Sequence, residues 1–267
     1  MIPAWVAPPH WRAIDFVSDL HLAPGLPRTA AAFGAYLAGT TADAVCLLGD
    51  VFEAWAGDDM RHQPFEQGVV AAIATASGRI TTAFMPGNRD FLAGAELCAA
   101  AGMAALADPT CLHAFGGRWL LSHGDAQCLS DAPYQAFRAQ VRSPAWQRDF
   151  LARPLAERLA IARAMREHST ARQASTVETQ GDLDAAACRA LLLEAGAATL
   201  IHGHTHRPAA HELGDGLRRV VLSDWDLDDG ARPRADVLRL SAAGLQRLTP
   251  AQAPAGTGAG PAAGTGT

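Results

Sequence analysis

The chain has 267 residues, 49% of them hydrophobic and 18% charged, with a formal net charge of -5, which is the composition of an ordinary globular protein large enough for one domain carrying an insertion. That balance excludes a polycationic nucleic-acid binder; all 22 basic residues are arginine, which also excludes a Schiff-base lysine and the lysine of a Walker A loop. Five scattered cysteines without a CxxC pair argue against a zinc knuckle or disulfide framework, and no stretch reaches the roughly 18 apolar residues of a membrane span.

Short β-type runs at 14–17, 44–48, 80–85, 119–121 and 199–201 each break off in polar residues. Alanine-rich stretches of helical length, 28–37 and 65–76, separate the first three, the alternation expected of βαβ units in an α/β or α/β/β-layered fold. Residues 132–195 interrupt this pattern and read as consecutive helices without a strand. Within them Leu151, Leu155 and Leu159 recur at i+4, while Arg148, Arg153, Arg158, Arg163, Arg166 and Arg172 supply polar faces. Such a segment is either a helical pair packed on the main domain, or a cap over an acidic amphiphile or a membrane-surface face. Downstream, 217–222 reads as a strand and 237–248 as a hairpin turning at Ala243-Gly244. The expected organisation is a core of 1–131 and 196–250, a helical insertion at 132–195 and a disordered tail at 251–267, which contains only Ala, Pro, Gly, Thr and one Gln. The N-terminus shows no basic segment followed by a long apolar run, so a cytosolic protein is expected.

The residues that end these runs carry the chemistry: Ser18-Asp19-Leu20-His21, Gly49-Asp50, Gly87-Asn88-Arg89-Asp90, Ser122-His123-Gly124-Asp125 and His202-Gly203-His204-Thr205-His206. Asp19 and His21 are two apart, as are His204 and His206, so extended geometry would put each pair on one face. Asp50, Asn88 and His123 each follow an apolar run and would converge with the pairs at one sheet edge. Seven nitrogen and oxygen ligands exceed what one tetrahedral zinc uses and suit two octahedral-leaning ions bridged by a carboxylate, for which Asp50 is the natural choice. A lone Asp-x-His or Gly-Asp means little, since Gly-Asp is mostly turn chemistry; the ordered set after successive strands carries the inference. His10, His62, His113, His168, His202 and His211 fall outside it.

This ordered set resembles the calcineurin-like metallophosphoesterase superfamily, whose fold is a β-sandwich flanked by helices. The runs Phe52-Glu53-Ala54-Trp55-Ala56-Gly57-Asp58-Asp59, Gly87-Asn88-Arg89-Asp90-Phe91 and Tyr134-Gln135-Ala136-Phe137-Arg138-Ala139 are similar to its UDP-2,3-diacylglucosamine pyrophosphatases, the LpxH type of the lipid A pathway. The resemblance runs from about residue 13 to 222. It implies water activated by two Mn2+ ions attacking the α-phosphorus of UDP-2,3-diacylglucosamine to give UMP and 2,3-diacylglucosamine 1-phosphate (lipid X). Asp19, His21, Asp50 and His206 would hold one ion, and Asp50, Asn88, His123 and His204 the other. Arg89 would stabilise charge on the phosphoryl oxygens, with a surface ion pair to Asp90 as its ordinary alternative. Asp90, Asp125 and Glu53 would orient ligand imidazoles or arginines.

By the same resemblance the insertion becomes a cap enclosing the sugar phosphate and sheltering the acyl chains. Asp131, Tyr134, Arg166 and Ser169 would lie around the sugar and phosphate beside Asn88, Arg89 and His204, with Phe137 and Met165 as greasy wall. Gln173 stands where Asn is usual and Thr176 where Lys is, both at substrate-binding positions; Ser223-Asp224-Trp225-Asp226 also departs from the family. The ligand types favour Mn2+ over Mg2+ or Zn2+. The implied setting is a Gram-negative cytoplasm, with the protein peripheral to the inner leaflet of the inner membrane and no nucleic-acid partner. The other reading left open is a generic dinuclear metallophosphodiesterase acting on soluble nucleotides or phosphoproteins.

Overall fold

The computed structural model describes residues 1–175 and 181–254, the side chains of 166–175 excepted. The chain runs β1 (Ala4–Val6), β2 (Ala13–Val17), α1 (Pro27–Gly39), β3 (Ala44–Leu48), α2 (Pro64–Ser77), β4 (Thr81–Met85), α3 (Ala95–Ala101), β5 (Ala104–Ala105), β6 (Thr110–Ala114) and β7 (Gly117–Ser122). It continues through α4 (Ala132–Val141), α5 (Pro144–Leu151), α6 (Leu155–Ser175), α7 (Ala185–Ala195), β8 (Thr199–His202), β9 (Ala210–Gly214), β10 (Leu217–Val221), β11 (Val237–Ser241) and β12 (Gly244–Leu248).

The continuous apolar runs form central strands because both of their faces are covered. One sheet has the order β1-β6-β7-β8-β10-β9 and the other β12-β11-β2-β3-β4-β5. Parallel pairing of β2, β3 and β4 is made by the crossover helices α1 and α2, while β11 and β12 form the expected antiparallel hairpin. The facing sides interleave Ile14, Phe16, Cys46, Leu48 and Met85 with Leu112, Leu121, Ile201, Val220 and Leu222 in a single buried cluster. Outside the second sheet, Phe33, Tyr36 and Leu37 of α1, Ile73 of α2 and Leu97 of α3 pack on Val17, Val45, Leu47 and Phe84. Cys188 and Leu192 of α7 cover Leu120, Leu200 and Leu217 of the first sheet. The result is a mixed α/β sandwich flanked by helices.

Local chemistry sets the helix ends. Asp131, Ser143 and Asp184 cap α4, α5 and α7 through their side chains, and α3 and α7 stop at left-handed Gly102 (φ 67°) and Gly196 (φ 60°). The cap of α1 is distant in sequence: Asp228 accepts from Arg28 N at 3.1 Å and Thr29 N at 2.9 Å.

Among the described residues of 132–195 the chain forms the four helices α4–α7, and the last of them, α7, packs on the first sheet. The leucines of α6 meet the 52–60 loop: Leu155 and Leu159 pack against the cluster containing Phe52, Trp55 and Met60. Arg158, 4% exposed, donates to the Ala56 carbonyl and clasps both carboxylate oxygens of Asp59. The buried Arg158, on what periodicity marks as a polar face, is thus a latch holding α6 to the core.

Residues 251–254, placed in the tail by composition, instead form a turn with Ala253 fully buried. The Ala253 carbonyl accepts from Thr41 N at 3.3 Å and Arg239 Nη2 at 3.0 Å, so hydrogen bonding orders a segment with little apolar bulk. The rest of the tail, 255–267, lies outside the described residues. Arg239 also makes a bidentate pair with Asp15 on the neighbouring strand, at 2.7 and 2.9 Å, both side chains being buried. Tyr36 Oη and Thr40 Oγ1 complete the shell of Asp15 at 3.0 and 2.8 Å. Arg239→Met should therefore lower stability in urea denaturation by about 3–5 kcal/mol, because it leaves a buried carboxylate without its cation. A loss below about 1 kcal/mol would mean that the hydroxyl donors alone satisfy Asp15.

Candidate metal centre

The loops that leave the carboxyl ends of β2, β3, β4, β7 and β8 meet at one edge of the sandwich. The first two run side by side: Asp19 N donates to Gly49 O, His21 N to Asp50 O and Leu22 N to Val51 O, at 2.9–3.0 Å. Among the described residues seven non-glycine positions have positive φ, and five of them are Asp19 (53°), His21 (47°), Asp50 (53°), His204 (69°) and His206 (54°). This corrects the geometric reason given from spacing. The Asp-x-His and His-x-His pairs are not extended strand residues sharing a face; each ligand sits in a left-handed turn just past its strand. Strain of that kind persists only where surrounding structure over-determines it, and here it clusters at one spot.

All seven side chains come together there. His206 Nε2 is 3.3 Å from Asp19 Oδ1 and 3.2 Å from His21 Nε2. Asn88 Oδ1 is 2.9 Å from His123 Nε2 and 2.8 Å from His204 Nδ1, and His123 Nε2 lies 3.7 Å from Asp50 Oδ1. Ligand atoms of Asp19, His21 and His206 lie within 4.8 Å of one another, as do those of Asp19, Asp50 and His123. The loops approach so closely that a Cβ on Gly203 would overlap the Asp19 carboxylate and one on Gly87 the Asp50 carboxylate. The glycines of these motifs are therefore demanded by contact.

Behind the ligand atoms, two of the four imidazoles have a second partner. His123 Nδ1 donates to Leu48 O at 2.9 Å, and His21 Nδ1 faces Glu53 Oε2 at 3.0 Å. Asp90 does not orient imidazoles or arginines; it accepts from the backbone N–H groups of Gly87, Asp50 and Val51 at 2.7, 3.2 and 2.8 Å, clamping two loops together. Burial and the neighbouring Asp50 push its carboxyl up to about 6. Asp125, fully buried, collects Tyr134 Oη at 2.7 Å, Arg138 Nε at 2.8 Å and Arg142 Nη2 at 3.5 Å, tying α4 to the site. Burial would raise Asp125, but His123, Arg142 and Arg138 outweigh it and hold it well below the carboxylate range. His202, outside the ligand spacing, is buried with Nδ1 on Gly203 O and Nε2 3.2 Å from Arg219 Nη1; burial pushes it down to about 3.

Arg89 is not paired with the buried Asp90. Its Nη1 is 3.9 Å from Glu53 Oε1, and its backbone N donates to Asp50 Oδ1 at 2.7 Å. The Tyr134 ring stacks on His204 at 6.1 Å between centroids, and its phenol is held far above its usual range by burial and then by Asp125, so it remains a donor. Asp131 caps α4 at 3.0 Å from Tyr134 N, and Phe137 is exposed. The side chains of Arg166, Ser169 and Gln173, and all of Thr176, lie outside the described residues. Arg138, Arg142 and Asp224 belong to the surroundings of the site; on sequence grounds Arg138 and Asp224 take no role and Arg142 is not singled out, since single charged residues on helices or past strand ends carry no spacing signal.

The donor set fits divalent metal ions. Asp19 and Asp50 are buried carboxylates, and anions so buried need cations close by. Burial raises Asp19, yet the hydrogen bond from His206 and the charges of His123, His206 and His21 hold it well below its ordinary range. His204 is pushed down to about 4, first by burial and then by His123, so its ring is neutral with a lone pair to offer. Oxygen and imidazole ligands without thiolate are the chemistry of Mn2+, Mg2+ or Zn2+.

Comparison with known proteins agrees with this geometry. The family model for calcineurin-like phosphoesterases matches residues 13–208. A UDP-2,3-diacylglucosamine hydrolase of Bordetella pertussis is 46% identical over 246 residues, covering 89% of this chain and 93% of its own length. One from Xanthomonas oryzae pv. oryzae is 43% identical over 242 residues, covering 86% and 96% respectively.

Proposed function

We propose that this chain, which belongs to the calcineurin-like phosphoesterase family, hydrolyses the pyrophosphate bond of UDP-2,3-diacylglucosamine in lipid A biosynthesis. The observation that carries the reading is the convergence of seven metal-type ligands beside Arg89, in a chain whose relatives named for that substrate match nearly its whole length. Water adds to the α-phosphorus and the bond to the bridging oxygen breaks, releasing UMP and 2,3-diacylglucosamine 1-phosphate (lipid X).

Asp19, His21, Asp50 and His206 would hold one ion and Asp50, Asn88, His123 and His204 the second, with Asp19 also within reach of the Asp50 and His123 group. Two such ions, Mn2+ by preference for this ligand set, supply Lewis acidity and lower the pKa of water. The protein's part is geometric. Asp90 fixes the two loops that present Asp50 and Asn88. Arg89 offers a planar, permanently charged pair of donors to phosphoryl oxygens as negative charge builds on them. Asp125 holds Tyr134, Arg138 and Arg142 so that α4 walls the site and presents Asp131, Tyr134 and Phe137 to the sugar. The α4–α6 helices form the cap for the acyl chains, latched by Arg158 and Asp59.

No helix among the described residues is long and apolar enough to cross a membrane. Exposed Leu129, Phe137 and Leu151, in and beside the cap, suit contact with acyl chains and a peripheral encounter with the cytoplasmic face of the inner membrane. Metal-stripped protein should release UMP from UDP-2,3-diacylglucosamine only after Mn2+ is added, with bis(p-nitrophenyl) phosphate as a small reference diester. Turnover of the small diester alone would instead make the protein a generic phosphodiesterase.

A further inference from the structure

The segment Ser223-Asp224-Trp225-Asp226 leaves β10 beside the loop that carries His204 and His206. Backbone bonds bracket residue 224 between the two ligand loops: Leu222 N donates to His202 O at 2.7 Å, and Trp225 N to Asp19 O at 3.0 Å. The Trp225 ring is locked in the core, against Phe33 and Tyr36 and through Nε1 to Asp236 O at 2.9 Å. The side chain of Asp224 is thereby held on the far side of His206 from the metal ligands. Its Oδ2 lies 3.6 Å from His206 Nδ1, while Nε2 of the same ring points at Asp19 and His21. Arg234 donates to that oxygen through Nε at 2.7 Å, with its Nη2 also 2.6 Å away, and Arg234 is itself fixed by backbone pairing with Asp226 at 2.8 and 2.9 Å. Oδ1 of Asp224 is buried without a hydrogen-bond partner among the described residues.

We propose that Asp224 is the positioning residue of His206. Its carboxylate, anchored by Arg234, accepts the Nδ1 proton and so fixes the tautomer and ring angle that aim the Nε2 lone pair into the site. Two other rings of the site already have such a partner, Leu48 O for His123 and Glu53 for His21. His206 needs one most, because its side chain is 35% exposed and packing alone does not hold it. The 3.6 Å separation is longer than a hydrogen bond and must shorten when Nε2 is ligated. Carboxylates in this position orient metal-binding imidazoles and raise their basicity.

The inference rests on the dinuclear hydrolase reading. In wild-type protein loaded with diamagnetic Zn2+, nitrogen NMR should find the His206 proton on Nδ1 and protected from exchange. In Asp224→Ala that protection should vanish, and calorimetric titration with Mn2+ should show one of two sites weakened about 10–100-fold with the other unchanged. A folded Asp224→Ala protein with both Mn2+ affinities intact overturns the positioning role, as does a wild-type His206 protonated on Nε2. The second observation needs no variant and decides the matter even if Asp224→Ala does not fold. Wild-type protein that binds no Mn2+ would overturn the dinuclear reading and this inference together, whereas two sites in wild type and an unaffected variant would overturn the inference alone.

Discussion

Asp50→Ala should abolish turnover of both the lipid substrate and a small diester, to below roughly a thousandth of wild type, with metal content falling from two ions per chain to one or none. The carboxylate is 2% exposed and belongs to the group with Asp19 and His123; its Oδ1 also faces the Nε2 of His123. In the proposed assignment Asp50 would hold both ions, so the expected effect exceeds that of any single-ion ligand. The obvious confounder is folding, because Asp50 Oδ1 accepts the backbone N–H of Arg89. One such hydrogen bond is worth about 1 kcal/mol, far too little to unfold a core of this size. Circular dichroism and urea denaturation should therefore resemble wild type. Retention of a tenth of the activity with unchanged metal content would refute a bridging role for Asp50.

The parts of the fold that were legible are the short, mostly apolar runs of β2, β3, β4, β7 and β8, each of which leads within a few residues into a site loop, although β2 carries the buried Asp15 in its middle. The edge strands β1 and β5 were not legible, because β1 has three residues of mixed exposure and β5 only two. The identities of the seven ligands could be read from their order along the chain, but the conformation that makes them converge could not. Nothing in Asp-x-His signals a φ of about 50°, whereas the glycines of the Gly-Asn and Gly-His motifs do signal close approach, as Gly87 and Gly203 show. Long-range electrostatics were the other blind spot. Asp15 pairs with Arg239 and Asp59 with Arg158 across 224 and 99 residues, and in sequence each is one more charge. The same holds for Asp224, whose partners His206 and Arg234 lie on either side of it in the chain.

Arg89→Ala should lower kcat by about 10²–10³-fold while leaving Mn2+ stoichiometry and thermal stability as they are. The backbone of residue 89 is held independently of its side chain, since its N–H donates to Asp50 Oδ1 at 2.7 Å and its carbonyl accepts from Trp55 N at 3.0 Å. The side chain is 31% exposed and its separation from Glu53 is 3.9 Å, a loose pair of the kind that contributes about 0–1 kcal/mol to stability. A guanidinium so placed at the edge of the metal ligands retains its charge and most of its donors for a substrate. Arg89→Lys should recover only part of the rate, because an ammonium keeps the charge but loses the planar two-donor geometry. The loss should also be similar on UDP-2,3-diacylglucosamine and on bis(p-nitrophenyl) phosphate, since both develop charge on the same phosphoryl oxygens. A loss confined to the lipid substrate would make Arg89 a group that grips the sugar phosphate, and unchanged turnover on both would leave it only its pairing with Glu53.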